Sequence, residues 1–324
     1  MSESNDYNPG DWAGHDFGAA RKAYDAHAGR SYDKAVSAGK KAVDLVAATI
    51  ETQSQFPLII RCDVTGSMGA WPATIFSKLP YLDIEGKQYL GPDMEVSFGA
   101  IGDAVMGDKY PFQVRPFGKG TDLAEQLKGL VIEGGGGGDK CESYELSALY
   151  DARNVKCPNA LKPIHIIIGD EGIHEYVEVE HAKNAQVVIQ ARISYQAVFE
   201  ELKRRFAVYV IRKDYGEGYE SRIQKQWVDL LGEDHVVRLD DPNRVVDVIF
   251  GILAKETGRV AYFKEELEGR QTPEQVKTVY DSLKTVHVDL DKDDKDKNEG
   301  HSTMFLPSGK GRRNLLGLGP KPKA

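Results

Sequence analysis

The chain reads as an α/β protein built on a doubly wound, mostly parallel sheet with one antiparallel edge strand. Three observations predict this fold class. Apolar runs at residues 57–62, 163–168 and 207–211 have the length and composition of strands. Segments with helical character separate them, and strands alternating with helices imply parallel pairing through crossovers. The short link between an alternating segment at 94–101 and a second run at 112–115 is too brief for a crossover, so that pair must form an antiparallel hairpin.

Taken in order, residues 1–16 are polar and expected to be disordered. A helical N-terminal extension covers 17–54, with Val36, Val43, Ala47 and Ile50 at helical spacing so that one stripe packs on the domain. The first strand is followed by a helix near 71–79, the 94–101 strand, a loop at 102–108 and the edge strand. Helices then fit 122–130 and 143–153, ahead of the 163–168 strand. A helix at 193–206, a buried strand at 207–211, a helix at 221–231 and a last strand at 235–239 continue the alternation. Asp240-Asp241-Pro242-Asn243 starts a helix to about residue 255, with Pro242 in its first turn. These elements define a domain over 55–256. A helical C-terminal extension occupies 257–288, with Thr272-Pro273-Glu274-Gln275 as a helix start. Residues 289–324 form a charged, flexible tail, in which Met304-Phe305-Leu306-Pro307 and Leu315-Leu316 lie among basic residues as a candidate docking motif.

A net charge of −8 argues against a nucleic-acid-binding surface. The polar start carries no signal-peptide pattern, and no segment reaches the 18 apolar residues of a membrane span, so a cytoplasmic protein with no membrane partner is expected. The spacing of Cys62, Cys141 and Cys157 fits neither a zinc pattern nor a disulfide framework.

The chemistry concentrates where the first strand runs into Asp63-Val64-Thr65-Gly66-Ser67. Asp63 offers an anionic oxygen, Thr65 and Ser67 offer hydroxyls, and Gly66 lets the backbone curl so that the three converge on a hard cation. The carboxyl end of a strand in an open α/β sheet is also where ligands sit. Downstream come Gly134 to Gly138 followed by Asp139, Glu142 and Ser143, and then an apolar strand ending in Gly169-Asp170.

These three segments, in this order, resemble the metal-ion-dependent adhesion site of von Willebrand factor A (vWA) domains, over roughly residues 55–256. The resemblance implies a vWA or Rossmann-like fold and a bound Mg²⁺, with Mn²⁺ or Ca²⁺ as substitutes. Asp63, Thr65, Ser67, Glu142, Ser143 and Asp170 would form the metal set, Asp170 acting through water. Asp103, Asp108, Asp139 and Glu171 would line its rim or hold metal-bound water, Asp139 alternatively capping the next helix. A vWA second loop usually supplies a Thr, whereas this one supplies carboxylates and Ser143. The site is therefore either an open adhesion site or a closed structural one. The implied function is a metal-dependent protein-binding module, an adaptor or assembly factor. Its partner would offer an Asp or Glu and could be an AAA+ ATPase or a larger assembly.

Other motifs fall short. Gly138-Asp139-Lys140-Cys141 lacks the Gly-Lys-Ser/Thr of a phosphate loop, and His174-Glu175-Tyr176-Val177-Glu178 has Glu where a zinc protease needs its second His. His174, Glu175, Glu178, Glu180 and His181 are expected to form a polar surface loop, with a second metal site as the alternative, and Asp289 to Gly300 fails as an EF-hand. No nucleophile–base pair stands out, so catalysis is not expected. Two alternatives are a hydrolase using the cation as Lewis acid with Asp170 or Glu171 as base, and a self-assembling scaffold whose metal stiffens its loops.

Overall fold

A computed structural model describes residues 45–288 apart from 136, 137 and 217. The expected disordered start, most of the N-terminal helical extension and the tail at 289–324 lie outside the described residues. A six-stranded sheet forms the centre. Its strands are β2 (Pro57–Asp63), β3 (Glu95–Ile101), β4 (Phe112–Val114), β7 (Ile164–Gly169), β11 (Ala207–Arg212) and β12 (Val236–Arg238), in the spatial order β12-β11-β7-β2-β3-β4. All neighbours pair in parallel except β3 and β4, the antiparallel edge hairpin. Every residue of β2 and β7 is buried, as parallel strands covered on both faces require.

From β2 the chain builds outward to β3 and β4, then returns to the other side of β2 with β7 and continues to β11 and β12. Strand order thus reverses between β2 and β7. In open α/β sheets the crevice at the carboxyl ends of such a pair is the preferred ligand position. Asp63 closes β2 and Asp170 directly follows β7.

Among the described residues, three short strand pairs lie outside the sheet. Ile50, expected as the end of an amphipathic helix, instead opens a two-residue strand, β1 (Ile50–Glu51), parallel to β6 (Val155–Lys156). Its spacing suited a helix, but the backbone of Val155–Lys156 offered an unpaired edge that a local pattern could not reveal. β5 (Cys141–Glu142) pairs with β8 (Gly172–Ile173). β9 (Tyr176–Val177) pairs with β10 (Ile193–Ser194), so the helix expected from 193 starts only at Tyr195.

Apart from α3 (Asp122–Lys128), which packs on β3, the helices of the described residues pack in two groups. One contains α1 (Trp71–Lys78), α2 (Leu82–Leu90), α8 (Val245–Thr257), α9 (Val260–Arg270) and α10 (Pro273–Leu283). The other contains α4 (Tyr144–Asn154), α5 (Val179–Asn184) and α6 (Tyr195–Lys203), with α7 (Glu220–Leu231) packed on β8, β11 and β12. Helix α10 begins with the capping box read from sequence: Thr272 Oγ1 accepts from Gln275 N, and the Gln275 side chain accepts from Thr272 N at 2.9 Å. Sequence reading had missed α2. No helix among the described residues is long and apolar enough to cross a membrane.

Period-two alternation puts Ile59, Arg61 and Asp63 on one face of β2. Arg61 is fully buried there, an unusual residue for a central strand. Its guanidinium makes a two-pronged pair with Asp151 of α4 at 2.8 and 2.7 Å and donates to Ser97 O and Oγ at 3.1 Å. His165 on β7 completes the group, its Nε2 lying 2.8 Å from Asp151 Oδ2. Burial opposes the charge of Asp151, yet Arg61 and His165 outweigh it and hold the carboxyl below its ordinary range. Asp151→Ala would strand a buried guanidinium, and a loss of about 3–5 kcal/mol is expected in urea unfolding, much of it restored by adding Arg61→Met.

Candidate metal centre at the carboxyl edge of the sheet

The site begins with the end of β2. Asp63 Oδ1 accepts from the Thr65 amide at 2.8 Å and from its hydroxyl at 2.6 Å. Thr65 Oγ1 lies 3.3 Å from Ser67 Oγ, which donates to Asp170 Oδ1 at 2.8 Å. Oxygens of Asp63, Thr65, Ser67 and Asp170 therefore form one contiguous chain across the β2–β7 crevice. Neighbouring oxygens around a small octahedral cation with bonds of about 2.0–2.1 Å stand roughly 3 Å apart, a spacing these side chains already approach.

The Gly-rich loop locks onto this turn through its backbone. Gly66 N donates to Gly135 O at 2.7 Å and Gly134 N donates to Val64 O at 3.0 Å. At Gly135 a Cβ would fall 1.9 Å from Asp108 Oδ1, so only glycine lets the two loops touch. The loop then delivers β5, which carries Glu142 into the interior.

Glu142 is the most telling residue. It is 0% exposed, and neither carboxyl oxygen accepts from an N–H or a hydroxyl; the polar group within its reach is another acid, Glu171, with which it can share a proton. Burial, followed by the charges of Asp63, Glu171, Asp103 and Asp108, pushes its pKa far above the carboxylate range. Buried oxygens without partners also occur on Asp103 (Oδ2), Glu171 (Oε2) and Glu145 (Oε2). Burial likewise raises Asp63 and Glu171, each with Asp170 as the next cause, and pushes Glu145 up to about 8. Such a group of orphaned acceptors fits a cation held by oxygen donors.

Other residues singled out from sequence have definite places. Ser143 Oγ accepts from Ala104 N at 2.9 Å, tying the second loop to the 102–108 loop. Asp108 Oδ2 accepts from Asp103 N at 2.8 Å within that loop. Asp139 does not cap a helix: α4 is preceded by Ser143, and Asp139 Oδ1 accepts from Cys141 N at 3.1 Å. His174 is not on a polar surface loop. It is buried, with Nε2 at 2.9 Å from Asp103 Oδ1, because β8 pairs with β5 and draws it inward. Glu180 and His181 belong to α5.

Sequence reading missed two participants. Tyr144, the first residue of α4, donates its hydroxyl to Asp63 Oδ2. Lys213 donates to Asp170 Oδ2 at 2.7 Å and to Ser67 O at 2.6 Å. Strand register explains Lys213: Arg212 pairs with Gly169, so the residues that follow the two strands, Lys213 and Asp170, emerge side by side.

No family model matches the chain, and no curated protein matches it. Among solved structures it is similar to the pilus adhesin SpaC from Lactobacillus rhamnosus GG. The open conformation aligns at 10% identity with a TM-score of 0.45, covering 64% of this chain and 31% of the adhesin. A second form gives 10% identity and 0.44, covering 64% and 32%. The chain thus spans about a third of the length of the structures it matches.

Two outcomes follow from this geometry. At Gly169 a Cβ would lie 2.1 Å from the Tyr144 hydroxyl, so Gly169→Ala is expected to push Tyr144 off Asp63 and to cost about 1–3 kcal/mol in chemical denaturation. The second concerns pH. A carboxyl whose pKa is raised on folding binds more protons in the folded chain than in the unfolded one, so stability falls as pH rises between the two values. Glu145, at about 8 against an ordinary 4.5, defines the window, and the raised Asp63, Glu142, Glu171 and His174 act in the same sense. His165, held neutral chiefly by burial, acts in the opposite sense. Melts in chelator should therefore show lower stability at pH 8 than at pH 6.

Proposed function

We propose that this edge holds one Mg²⁺ in a vWA-like, doubly wound domain, and that the chain works as a cation-dependent protein-binding module. The observation that carries the reading is Glu142, buried beside Asp63 and Glu171 with neither oxygen accepting from an N–H or a hydroxyl. Asp63, Thr65 and Ser67 would hold the ion from β2 and its turn, and Glu142 would hold it from the second loop. Asp170 would orient the Ser67 hydroxyl that it already accepts from. Hard oxygen donors without sulfur or imidazole suit Mg²⁺. When bound, the cation would supply an exchangeable position for a carboxylate oxygen from a partner's Asp or Glu.

The surroundings support a protein partner. Val105 and Met106 on the 102–108 loop and Tyr219 beyond β11 are exposed large apolar side chains at this same edge. Trp71 lies within 5.9 Å of the Lys213 ammonium. Asp170, already paired with Lys213, is poorly placed to serve as a free base. A cavity of about 700 Å³ lined by Asp108, Phe112, Leu146 and His181 includes none of Asp63, Thr65, Ser67, Glu142 or Asp170.

Saturating Mg²⁺ should raise the melting temperature and do so more at pH 8 than at pH 6, with stabilisation of about 2.7 kcal/mol at a concentration one hundred times Kd. Glu142→Gln should have opposite effects in the two states: a more stable protein in chelator, because a buried acid is gone, and a much smaller response to Mg²⁺. Affinity capture with the full chain should recover a partner in Mg²⁺, and lose it in chelator and with Glu142→Gln. Replacing the partner's contacting acid by its amide should also abolish recovery. An unchanged Mg²⁺ response in Glu142→Gln would remove the metal assignment, while Mg²⁺ binding without any cation-dependent partner would remove only the functional one.

A further inference from the structure

The second loop faces two ways. Glu142 points into the oxygen-rich crevice, while its neighbours Asp139 and Cys141 meet His174, with one ligand atom from each of these three residues within 4.8 Å of the others. Three separate constraints hold the trio. Asp139 is fixed by its own turn, Oδ1 accepting from Cys141 N. Cys141 is fixed by the β5–β8 ladder, in which it pairs with Gly172. His174 is fixed by Asp103, whose carboxylate takes Nε2 at 2.9 Å and leaves Nδ1 facing Asp139 Oδ2 at 3.5 Å.

We propose that Asp139 Oδ2, Cys141 Sγ and His174 Nδ1 bind a borderline divalent cation of the zinc class, separate from the oxygen-only centre. A thiol, an imidazole and a carboxylate form a mixed donor set that suits Zn²⁺ and not Mg²⁺. Bonds of about 2.0–2.3 Å at a tetrahedral angle place ligand atoms roughly 3.3–3.8 Å apart; the imidazole and carboxylate are already at that separation, and the thiol lies within 4.8 Å of both. A proton on Nε2, donated to Asp103, frees the Nδ1 lone pair for the ion. Metal-binding histidines are commonly oriented by a carboxylate on their other nitrogen in this way. The Asp139 side chain is 48% exposed and Cys141 half-buried, which leaves the fourth position open to water. An ion there would also stiffen the strand that presents Glu142. The inference does not rest on the Mg²⁺ reading, since the two donor sets share no residue.

Co²⁺ serves as the spectroscopic probe, added to the full chain in excess Mg²⁺ so that the oxygen centre is filled. The expected result is a near-ultraviolet thiolate-to-cobalt charge-transfer band with four-coordinate visible absorption, both removed by stoichiometric Zn²⁺. Cys141→Ser should lose the band. Asp139→Asn, at an exposed position where folding is not at risk, should weaken binding at least about 10-fold, and Asp103→Asn about 10- to 100-fold through misorientation of His174. Asp63→Asn should leave the band intact. Absence of a thiolate band in the wild-type chain would overturn the site and leave His174 as a simple bridge between Asp103 and Asp139. Persistence of the band in Cys141→Ser would overturn it by assigning the thiolate to Cys62 or Cys157, and loss of the band in Asp63→Asn would overturn its separateness from the first centre.

Discussion

Burial of acid at one edge of the sheet is the constraint on which the rest of the molecule depends. Asp63, Asp103, Glu142, Glu145, Asp170 and Glu171 are all at most 2% exposed. Against them the chain sets Lys213 on Asp170, His174 on Asp103 and, at longer range, Lys140 near Glu171. An ionised carboxylate without a partner is very costly away from water, so such groups either keep their protons or gather around a positive charge. The raised carboxyl pKa values express the first response in the bare protein. The proposed cation is the second, and Glu142, which no donor satisfies, separates the two most sharply.

A contrast inside the same strand sharpens the point. Two residues before Asp63, Arg61 is equally buried, but it carries its own counter-ion in Asp151 and two further acceptors in Ser97. The Arg61 and Asp151 charges cancel, and with Ser97 and the Nε2 of His165 they tie β2, β3, β7 and α4 together without an outside ion. The edge above it has the same burial without the same compensation. Compensated and uncompensated charge therefore sit on one face of one strand, two residues apart.

The scaffold makes this arrangement possible by close backbone approach. Reversal of strand order between β2 and β7 opens the crevice. The Gly-rich loop enters it by exchanging backbone hydrogen bonds with the turn after β2, and Gly169 leaves just enough room for Tyr144 to reach Asp63. A side chain at Gly135 would collide with Asp108, and one at Gly169 would collide with Tyr144. The mixed Asp139, Cys141 and His174 trio arises from the same loop, because the two-residue β5–β8 ladder pulls His174 toward it.

The sequence by itself determined the strand and helix alternation, the antiparallel edge hairpin, the cap of α10 and the Asp63-Thr65-Ser67 turn. These features are local: each is written in an apolar run, a short link or a side chain that bonds within a few residues of itself. Only the tertiary structure decided that Ile50 joins a strand, that Ser143 braces the 102–108 loop, that His174 is buried on Asp103, and that Tyr144 and Lys213 attend Asp63 and Asp170. Each of those depends on partners 39 to 105 residues away. Pattern reading ranks residue types within a window, whereas burial and counter-charge are set by which strands become neighbours, and that register exists only once the sheet has formed.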